Sequence, residues 1–334
     1  MKKTIVVFIS IVLMLSMVTG CGKTNKISGP KGNDVVMNVC GIDISADYYR
    51  YTLIGAAMER VETDESFSGS FSDIDWNAQT ESGKTLSEEI AMETIEIIKG
   101  RAKLLAYAKE SNLTLTTEEN ESIDRIVDNY VESNGKSDFL NQLKVMGISS
   151  EDGFREVYKN ELISSKMLEE MIAFPHMYIP EDVDITQYQE ENRITVKHIL
   201  VMNSSPNYTN PEEVANDILH FINSGEDFDA LIQEFNEDPG QPNSGYTFGP
   251  GEMVKEFEDA AFKLNINEVS GVVKSEYGYH IIKRIVGERE IVNYITSTVE
   301  EPETTEKINE FVLSDLMNDV NEALSESSIE SEAK

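Results

Sequence analysis

Four short segments in the second half of the chain decide the fold. They run in order between Arg193 and Val286: VKHILV (196–201), FNEDPG (235–240), GEMVKEFEDAAFKL (251–264) and YGYHIIKRIV (277–286). Any one of these segments is short enough to occur by chance in unrelated proteins. All of them in this order and at this spacing are difficult to produce by chance. They therefore predict one folded domain, which we place at residues 191–287.

The N-terminal segment predicts export. Lysines precede an apolar run over residues 4–18, and a small residue, Gly20, lies directly before Cys21. The run is shorter than the ~20 apolar residues that a membrane-spanning helix needs, and small residues before a cysteine resemble the lipobox of bacterial lipoproteins. We predict a lipoprotein signal peptide over residues 1–21, with lipid (palmitate) on Cys21 as the anchor to the extracytoplasmic face of a bacterial cell membrane. An ordinary signal peptide and an uncleaved anchor are the alternatives.

Length and charge limit the architecture and the partners. The chain has 334 residues, and its 61 acidic side chains against 28 basic ones give a formal net charge of −33. This length predicts two or more compact units, each with its own core. The negative charge argues against nucleic acid and anionic lipid surfaces as partners.

Cysteine and histidine usage argues against disulfides and metal sites. If Cys21 carries lipid, then Cys40 has no partner in the chain, and we expect Cys40 to be a small buried apolar residue. The sequence has four histidines and no HExxH or CxxC spacing. We therefore predict no metal site and no cofactor.

The first half of the chain is predicted to be mostly helical. Residues 22–33 are rich in small and polar residues and predict a flexible tether. Residues 34–190 follow as a domain of their own, which begins with a strand pair and continues as helices. Thr116 and Glu119 have the spacing of a capping box at the start of one of these helices.

The segment after the four motifs, residues 288–325, combines two kinds of pattern. We predict a short β-like stretch over residues 291–298 and an amphipathic helix over residues 308–324, where apolar residues recur at helical spacing. The polar composition of residues 326–334 predicts a disordered tail.

The four segments resemble the parvulin type of peptidyl-prolyl isomerase domain. This resemblance implies a four-stranded antiparallel sheet with surrounding helices, and catalysis of rotation about X-Pro peptide bonds. Rotation is slow because the partial double bond must be twisted. Since no covalent bond breaks, an enzyme can act by holding the proline in an apolar pocket, excluding water, and offering hydrogen bonds that suit the twisted amide.

The same resemblance implies a polar centre. His198 in KHIL and His280 in GYHII match two histidines that hydrogen-bond each other in this family, and Asp238 in NED matches a position that holds Cys or Asp. An imidazole can exchange donor and acceptor roles by changing tautomer, so the pair can tune a nearby carboxylate. We predict these three as the catalytic residues. The alternatives are structural histidines and, before Pro239 and Gly240, an aspartate that starts a turn.

The resemblance also implies a substrate-binding pocket. Met253 and Phe257 in GEMVKEF would form it, Phe262 would support it, and Ser275 and Tyr277 match lining positions where small hydroxyl residues are common. Tyr277 is larger than expected at such a position, which predicts a narrower pocket or a displaced ring. The alternative for the Met and Phe pair is an ordinary core contact across one helical turn.

One segment departs from the family pattern. Many parvulins carry GGDLG before an F-x-x-G-x-M segment, whereas this chain has NSGYTFGPGEM over residues 243–253, which looks shorter before Phe248. We expect Phe248 to occupy part of the space of the leucine that usually lines the pocket, or the loop to close differently. Residues 203–210 contain no basic side chain, so a preference for phosphorylated Ser-Pro or Thr-Pro is not expected.

Helices before and after a parvulin-like domain resemble the PrsA-type foldase lipoproteins and, more distantly, the chaperone SurA. The architecture of those families implies an α+β protein, with a parvulin domain beside a mostly helical chaperone-like domain. It also implies that the C-terminal helix packs on the N-terminal domain. The alternative is a helix docked on the parvulin domain.

Two functions follow from these predictions. The first is a membrane-anchored foldase that catalyses cis/trans isomerisation of X-Pro bonds in unfolded or partly folded exported proteins. The second is a holdase chaperone for exported proteins, in which the parvulin domain is catalytically idle. A solute-binding lipoprotein is disfavoured because no pair of repeated α/β lobes is evident. A homodimer through the helical domain is expected by analogy alone.

Overall fold

The computed structural model describes residues 27–63, 73–189, 192–242 and 244–331. The chain divides into two compact units: unit 1 runs to Met167 and resumes at Ile295, and unit 2 comprises Leu168–Tyr294. Unit 2 is therefore inserted between two parts of unit 1. The predicted signal peptide, its Cys21 and the first part of the predicted tether lie outside the described residues.

The described residues form seven strands and ten α-helices, in the order β1 (Val35–Val39), β2 (Ile42–Ser45), α1 (Ala46–Thr63), α2 (Leu86–Glu110), α3 (Thr117–Asn134), α4 (Lys136–Val145), α5 (Glu151–Ala173), β3 (Ile194–Met202), α6 (Pro211–Asn223), α7 (Phe228–Phe235), β4 (Tyr246–Phe248), α8 (Lys255–Ala261), β5 (Val273–Lys274), β6 (Gly278–Ile285), α9 (Glu288–Ser297), β7 (Glu303–Thr304) and α10 (Leu313–Ser331). Short 3-10 helices cover Pro175–Met177, Ile185–Tyr188 and Glu306–Glu310. In the part of the chain that the structure describes, none of the helices is long and apolar enough to cross a lipid bilayer.

The first hairpin turns at Cys40 and Gly41. Val39 pairs with Ile42 across β1 and β2, and the two turn residues have φ angles of +52° and +74°. Positive φ at both positions is the requirement of a tight type I′ turn. Cys40 is exposed in this turn. The prediction that Cys40 is buried is therefore wrong, because its place in the turn outweighs its apolar character.

The C-terminal helix completes the core of unit 1. Leu316, Met317 and Val320 on α10 are fully buried. They belong to the same apolar cluster as Tyr48 on α1 and Phe139 on α4. Strand β7 also returns to this unit, where it pairs with β1 in a three-stranded sheet of order β2-β1-β7. Residues from both ends of the described chain therefore share one core.

The predicted β-like stretch at residues 291–298 is wrong, because α9 occupies these positions. Its β-branched residues favour a strand. However, Ile291, Tyr294 and Ile295 are buried at intervals of three and four residues, which is the period of a helix packed on one side.

The predicted disordered tail begins too early. Helix α10 continues to Ser331, and no glycine or proline interrupts the sequence between Leu313 and that residue. Residues 332–334 lie outside the described residues.

Unit 2 contains the predicted four-stranded antiparallel sheet, with strand order β4-β3-β6-β5. Successive side chains of a strand point to opposite faces. Ile199 and Val201 of β3 therefore pack with α6 and α7 on one face, and Ile194 and Val196 pack with α8 on the other. The predicted α+β class is confirmed.

The limits of unit 2 fall inside helices. The first lies in α5, between Met167 and Leu168, and the second lies in α9, between Tyr294 and Ile295. The boundaries predicted from the sequence lie near residues 191 and 287, at the two ends of the run of four segments. Both helices continue through the limits of the compact unit.

Candidate active site

Strands β3 and β6 bring the two predicted histidines together. In their antiparallel register His198 is opposite Ile282 and His280 is opposite Leu200, so the histidines are diagonal neighbours on one face of the sheet. Their Nδ1 atoms are 3.1 Å apart. The two rings are almost parallel, with an angle of 14° between their planes.

Asp238 reaches this pair from the loop after α7. Its Oδ2 lies 3.0 Å from Nε2 of His198. The loop is held along β3 by two side-chain acceptors: Leu200 donates its N–H to Oδ1 of Asn236 at 2.9 Å, and His198 donates its N–H to Oε1 of Gln241 at 2.7 Å. Strand β4 pairs with β3 only as far as Val196. Beyond that point, these two side chains take the place of a strand partner and fix Asp238 beside His198.

Tyr246 is a further member of the centre that no motif in the sequence singled out. Its hydroxyl donates to Oδ2 of Asp238 at 3.0 Å. The pairing of Tyr246 with Val196 sets its position on β4. Gly245 makes this approach possible because its φ is +82° and a Cβ there would lie 2.5 Å from the Val196 carbonyl oxygen. The only signal in the sequence was that Tyr246 lies in the segment that departs from the family pattern.

The carboxylate of Asp238 is held in its ionised form. Partial burial acts to raise its pKa, but hydrogen bonds from the Gly240 N–H, His198 and Tyr246 outweigh it, and the net shift is below the ordinary value. The phenol of Tyr246 has the opposite shift: burial, followed by the hydrogen bond to Asp238, raises its pKa to about 12. Tyr246 is therefore the donor and Asp238 the acceptor.

Both histidines are held in their neutral form. Burial lowers the pKa of His198, although its bond to Asp238 acts in the opposite direction. Burial, together with the neighbouring His198, lowers the pKa of His280 to about 4. Oγ of Ser275 lies 2.7 Å from Nε2 of His280 and accepts the N–H of Tyr277 at 3.1 Å.

These distances fit a single set of tautomers, which we assign from the hydrogen-bond network. Ser275 donates its O–H to Nε2 of His280. His280 donates its Nδ1–H to Nδ1 of His198, and His198 donates its Nε2–H to Asp238. Every polar hydrogen in this series therefore has an acceptor, and the series ends at the carboxylate.

Phe257 on α8 forms the apolar side of the centre. Its ring is 4 % exposed and meets His198 and His280 edge-on, with centroids at 5.2 Å and 5.3 Å. Phe248 lies 5.9 Å from Phe257 and is only 1 % exposed. Phe248 packs against Phe257 and Phe262, and its part in binding substrate stays a prediction.

The remaining predicted lining residues differ in exposure. Met253 is half-buried and precedes α8, which begins at Lys255, so it is not on the helix. Phe262 is half-buried beside Phe248. Ser275 is buried and belongs to the polar series, whereas the side chain of Tyr277 is 59 % exposed. Tyr277 therefore contributes its backbone N–H to the centre and presents its ring to solvent.

No group of three or more His, Cys, Asp or Glu side chains in the described ranges is arranged to hold a metal ion. Both ring nitrogens of His198 and of His280 are engaged in the hydrogen bonds described above. The donor set therefore functions as a hydrogen-bond network.

Comparisons with known proteins identify a family for this chain. The family model of the PPIC-type PPIase domain matches residues 183–288. Foldase protein PrsA 4 of Bacillus cereus is 33 % identical over 222 residues, which cover 65 % of this chain and 67 % of that protein. Foldase protein PrsA of Oceanobacillus iheyensis is 30 % identical over 269 residues, which cover 72 % of this chain and 82 % of that protein.

The chain belongs to the PrsA foldase family. It spans only about half of the length of some other members, such as the PrsA proteins of two Geobacillus strains, at 53 % and 54 %. A crystal structure of peptidylprolyl isomerase PrsA from Bacillus cereus is 26 % identical, with a TM-score of 0.26, and the match covers 74 % of this chain and 91 % of that chain. The resemblance to PrsA-type foldases drawn from the sequence is confirmed, and residues 183–288 are a parvulin-type peptidyl-prolyl cis/trans isomerase domain.

Proposed function

We propose that this PrsA-family protein catalyses cis/trans isomerisation of X-Pro bonds in exported proteins, from a position anchored to the outer face of the cell membrane. The observation that supports catalysis is the hydrogen-bond series that ends at the partly exposed carboxylate of Asp238 and whose His198 ring packs on Phe257. Clients are unfolded or partly folded chains that expose X-Pro bonds.

The apolar part of the site binds the proline ring. Met253 is half-buried and packs against the apolar cluster that contains Phe257, whose ring meets the two histidines edge-on. Burial of the ring removes water from the amide that must rotate. An amide loses hydrogen bonds to water in such a site. A planar amide loses more hydrogen-bond energy than a twisted amide, because its oxygen carries more negative charge.

The polar part of the site favours the twisted amide electrostatically. Conjugation places partial negative charge on the carbonyl oxygen of a planar amide, and twisting reduces that charge. A carbonyl oxygen near the Asp238 carboxylate is therefore repelled more strongly in the planar form than in the twisted form. Each 1.4 kcal/mol of this difference is worth about tenfold in rate. His198 and Tyr246 keep the carboxylate ionised and fixed in place.

Exchange NMR on a series of short X-Pro peptides tests catalysis, using the chain from residue 22 onward. We expect Asp238→Ala and Met253→Ala each to lower kcat/KM by about tenfold or more. Asp217→Ala and Met92→Ala are the matched controls, because both residues are exposed on helices and neither belongs to the centre, and they should match the wild type.

The outcomes separate the two functions. Loss of exchange in both site variants, with folding intact and controls active, supports an isomerase that uses this site. No catalysed exchange by the folded wild type would contradict the proposal, and suppression of client aggregation by that same protein would then support a holdase chaperone with an idle isomerase domain.

The membrane anchor is part of the same proposal. It is supported by the apolar run over residues 4–18 and by Gly20 directly before Cys21. Metabolic labelling with a palmitate analogue in a bacterial host should label the wild type in the membrane fraction, and Cys21→Ser should lose the label. Label retained by Cys21→Ser would place the lipid elsewhere and refute this anchor.

A further inference from the structure

A cavity of about 330 Å³ lies in unit 1, between the end of α2, the loop that leads to α3, and the middle of α5. Its apolar walls come from the hairpin, both helices and the loop, and they comprise Ile42, Leu105, Ala108, Leu113, Leu115 and Ile163. This volume is at the small end of the range for ligand pockets. It suits one or two amino-acid side chains better than a large cofactor.

The loop wall of the cavity is fixed by the way in which α2 ends. Asn112 adopts a φ of +57° and donates its N–H to the Lys109 carbonyl, and Leu113 donates its N–H to the Ala108 carbonyl at 2.8 Å. This pair of bonds is the Schellman arrangement, which reverses the chain direction directly after a helix. Leu113 is therefore held against the cavity without a bound ligand.

The opposite end of the loop is fixed by the start of α3. Thr116 and Glu119 form the predicted capping box, in which each residue bonds to the backbone of the other. The carboxylate of Glu119 also bonds to Lys166 of α5 at 2.8 Å. The walls that α3 and α5 contribute are therefore tied together, and the cavity is preorganised.

The charged residues that line the cavity are basic, although the chain as a whole is acidic. Lys109 of α2 and Lys159 of α5 line it, and none of its lining residues is acidic. Neither lysine makes an ion pair with any described residue, whereas Lys99, Lys144 and Lys166 of the same unit each contact a carboxylate. In a chain with 61 acidic and 28 basic side chains, two such lysines at one cavity leave a local positive charge for an anion from outside.

Neutral polar groups at the cavity place a second requirement on the chemistry of the ligand. Thr114 and Asn160 line it, and within the described part of the chain their side chains make no hydrogen bond. Asn120 also lines it and is oriented by bonds from its amide to the carbonyls of Leu115 and Thr116, at 3.3 Å and 2.8 Å. These hydroxyl and amide groups suit a ligand that has peptide N–H and C=O groups of its own. An acyl chain has none of these beyond its carboxylate.

We propose that this cavity binds the C-terminus of a polypeptide whose last residue is apolar. The last side chain lies between the apolar walls of the cavity. Lys109 and Lys159 hold the main-chain carboxylate, and Thr114 and Asn160 form hydrogen bonds with the last peptide unit. This site is independent of the isomerase centre in unit 2, since it requires neither proline nor Asp238. It gives the helical unit a means of selecting free chain ends.

Fluorescence anisotropy tests the proposal with a proline-free probe, the N-terminally fluorescein-labelled peptide Gly-Ser-Gly-Ser-Ala-Leu. We expect the free acid to bind the chain from residue 22 onward at least about tenfold more tightly than its C-terminal amide. The double variant Lys109→Gln/Lys159→Gln should lose about tenfold or more in affinity for the free acid. Lys84→Gln is the matched control, since Lys84 is an exposed lysine of unit 1 outside the cavity, and it should bind as the wild type does.

Several results would overturn the proposal. The proposal is wrong if the free acid and the amide bind with equal affinity, if the double variant binds as the wild type does, or if the folded wild type does not bind the acid. It is also wrong if decanoate displaces the probe at a lower concentration than unlabelled peptide does, because the cavity would then be an acyl site. Urea unfolding followed by the fluorescence of Trp76, which is buried in unit 1, verifies that the variants fold. X-Pro exchange measured on the same variants is expected to be unchanged, so a failure here is distinguishable from a failure of the isomerase function.

Discussion

The bond between Tyr246 and Asp238 gives the most direct test of how the site is tuned. Tyr246→Phe removes the hydroxyl that donates to Asp238 at 3.0 Å and leaves the ring, which packs 5.8 Å from His198. The pairing of β4 with β3 at Val196 uses backbone atoms, so it is expected to persist. The variant therefore changes one hydrogen bond and little else.

The magnitude follows from the exposure of the carboxylate. A hydrogen bond to a charged group is worth roughly 1.5–3 kcal/mol. Water can replace part of this one, because the side chain of Asp238 is 22 % exposed. We therefore expect the variant to lose about 1 kcal/mol of the preference for ionised Asp238.

The sign of the pH effect is fixed by the same bond. The hydrogen bond from Tyr246 helps to lower the pKa of Asp238, so its loss raises that pKa. Activity that requires the carboxylate is present above the folded-state pKa and is lost as the pH falls through it. In Tyr246→Phe this loss should occur at a higher pH, while activity at pH 7 should stay within about twofold of the wild type because the carboxylate remains ionised there.

The assay is the pH profile of kcat/KM for an X-Pro peptide, with ¹³C NMR of labelled aspartate carboxyls to assign the acidic limb. Tyr208→Phe is the control, since Tyr208 is a half-buried tyrosine of unit 2 whose hydroxyl makes no hydrogen bond to any described residue. An acidic limb in Tyr246→Phe that coincides with that of the wild type would refute the assigned role of Tyr246.

Three further predictions concern stability. Burial lowers the pKa of His280 from 6.5 to about 4. As the pH falls, His280 is therefore protonated in the unfolded state before it is protonated in the folded state. The free energy of unfolding of unit 2 should fall by about 2 kcal/mol between pH 7 and pH 5. Hydrogen exchange of β6 amides measures this, and His280→Gln should show less of the loss. Leu316→Ala removes a fully buried side chain of unit 1. It should lower the free energy of unfolding, followed by Trp76 fluorescence, by about 2–5 kcal/mol without changing catalysed X-Pro exchange. A parallel fall in X-Pro exchange would contradict the assignment of α10 to unit 1. Thr116→Ala removes the cap of α3 and should cost about 1 kcal/mol in urea unfolding, whereas Thr117→Ala, one position later, should cost less.

The sequence predicted those parts of the fold that depend on local pattern. Helical spacing of apolar residues located α10, and Thr116 with Glu119 located the start of α3. The four ordered segments implied the sheet of unit 2 and placed His198 and His280 on neighbouring strands, as the register shows. Such features are visible because each depends on residues close in sequence or on a recognised order of motifs.

Features that depend on long-range register were not predictable in this way. The contact of Tyr246 with Asp238 requires the pairing of β4 with β3 and the positive φ of Gly245. The burial of Phe248 depends on where α8 lies above the sheet, which brings Phe257 over it. Strand propensity also outweighed periodicity in the prediction for α9, because a ten-residue helix with several β-branched residues satisfies both patterns.

The insertion of unit 2 within unit 1 has a consequence for the order of folding. Leu168–Tyr294 is one continuous stretch, whereas unit 1 requires residues on both sides of it. A chain that emerges from its N-terminus can therefore complete the isomerase domain while the helical unit still lacks β7 and α10. Closure of the helical core around Leu316, Met317 and Val320 has to wait for the last segment of the chain, so a nascent molecule would possess its catalytic domain before it possesses a finished scaffold.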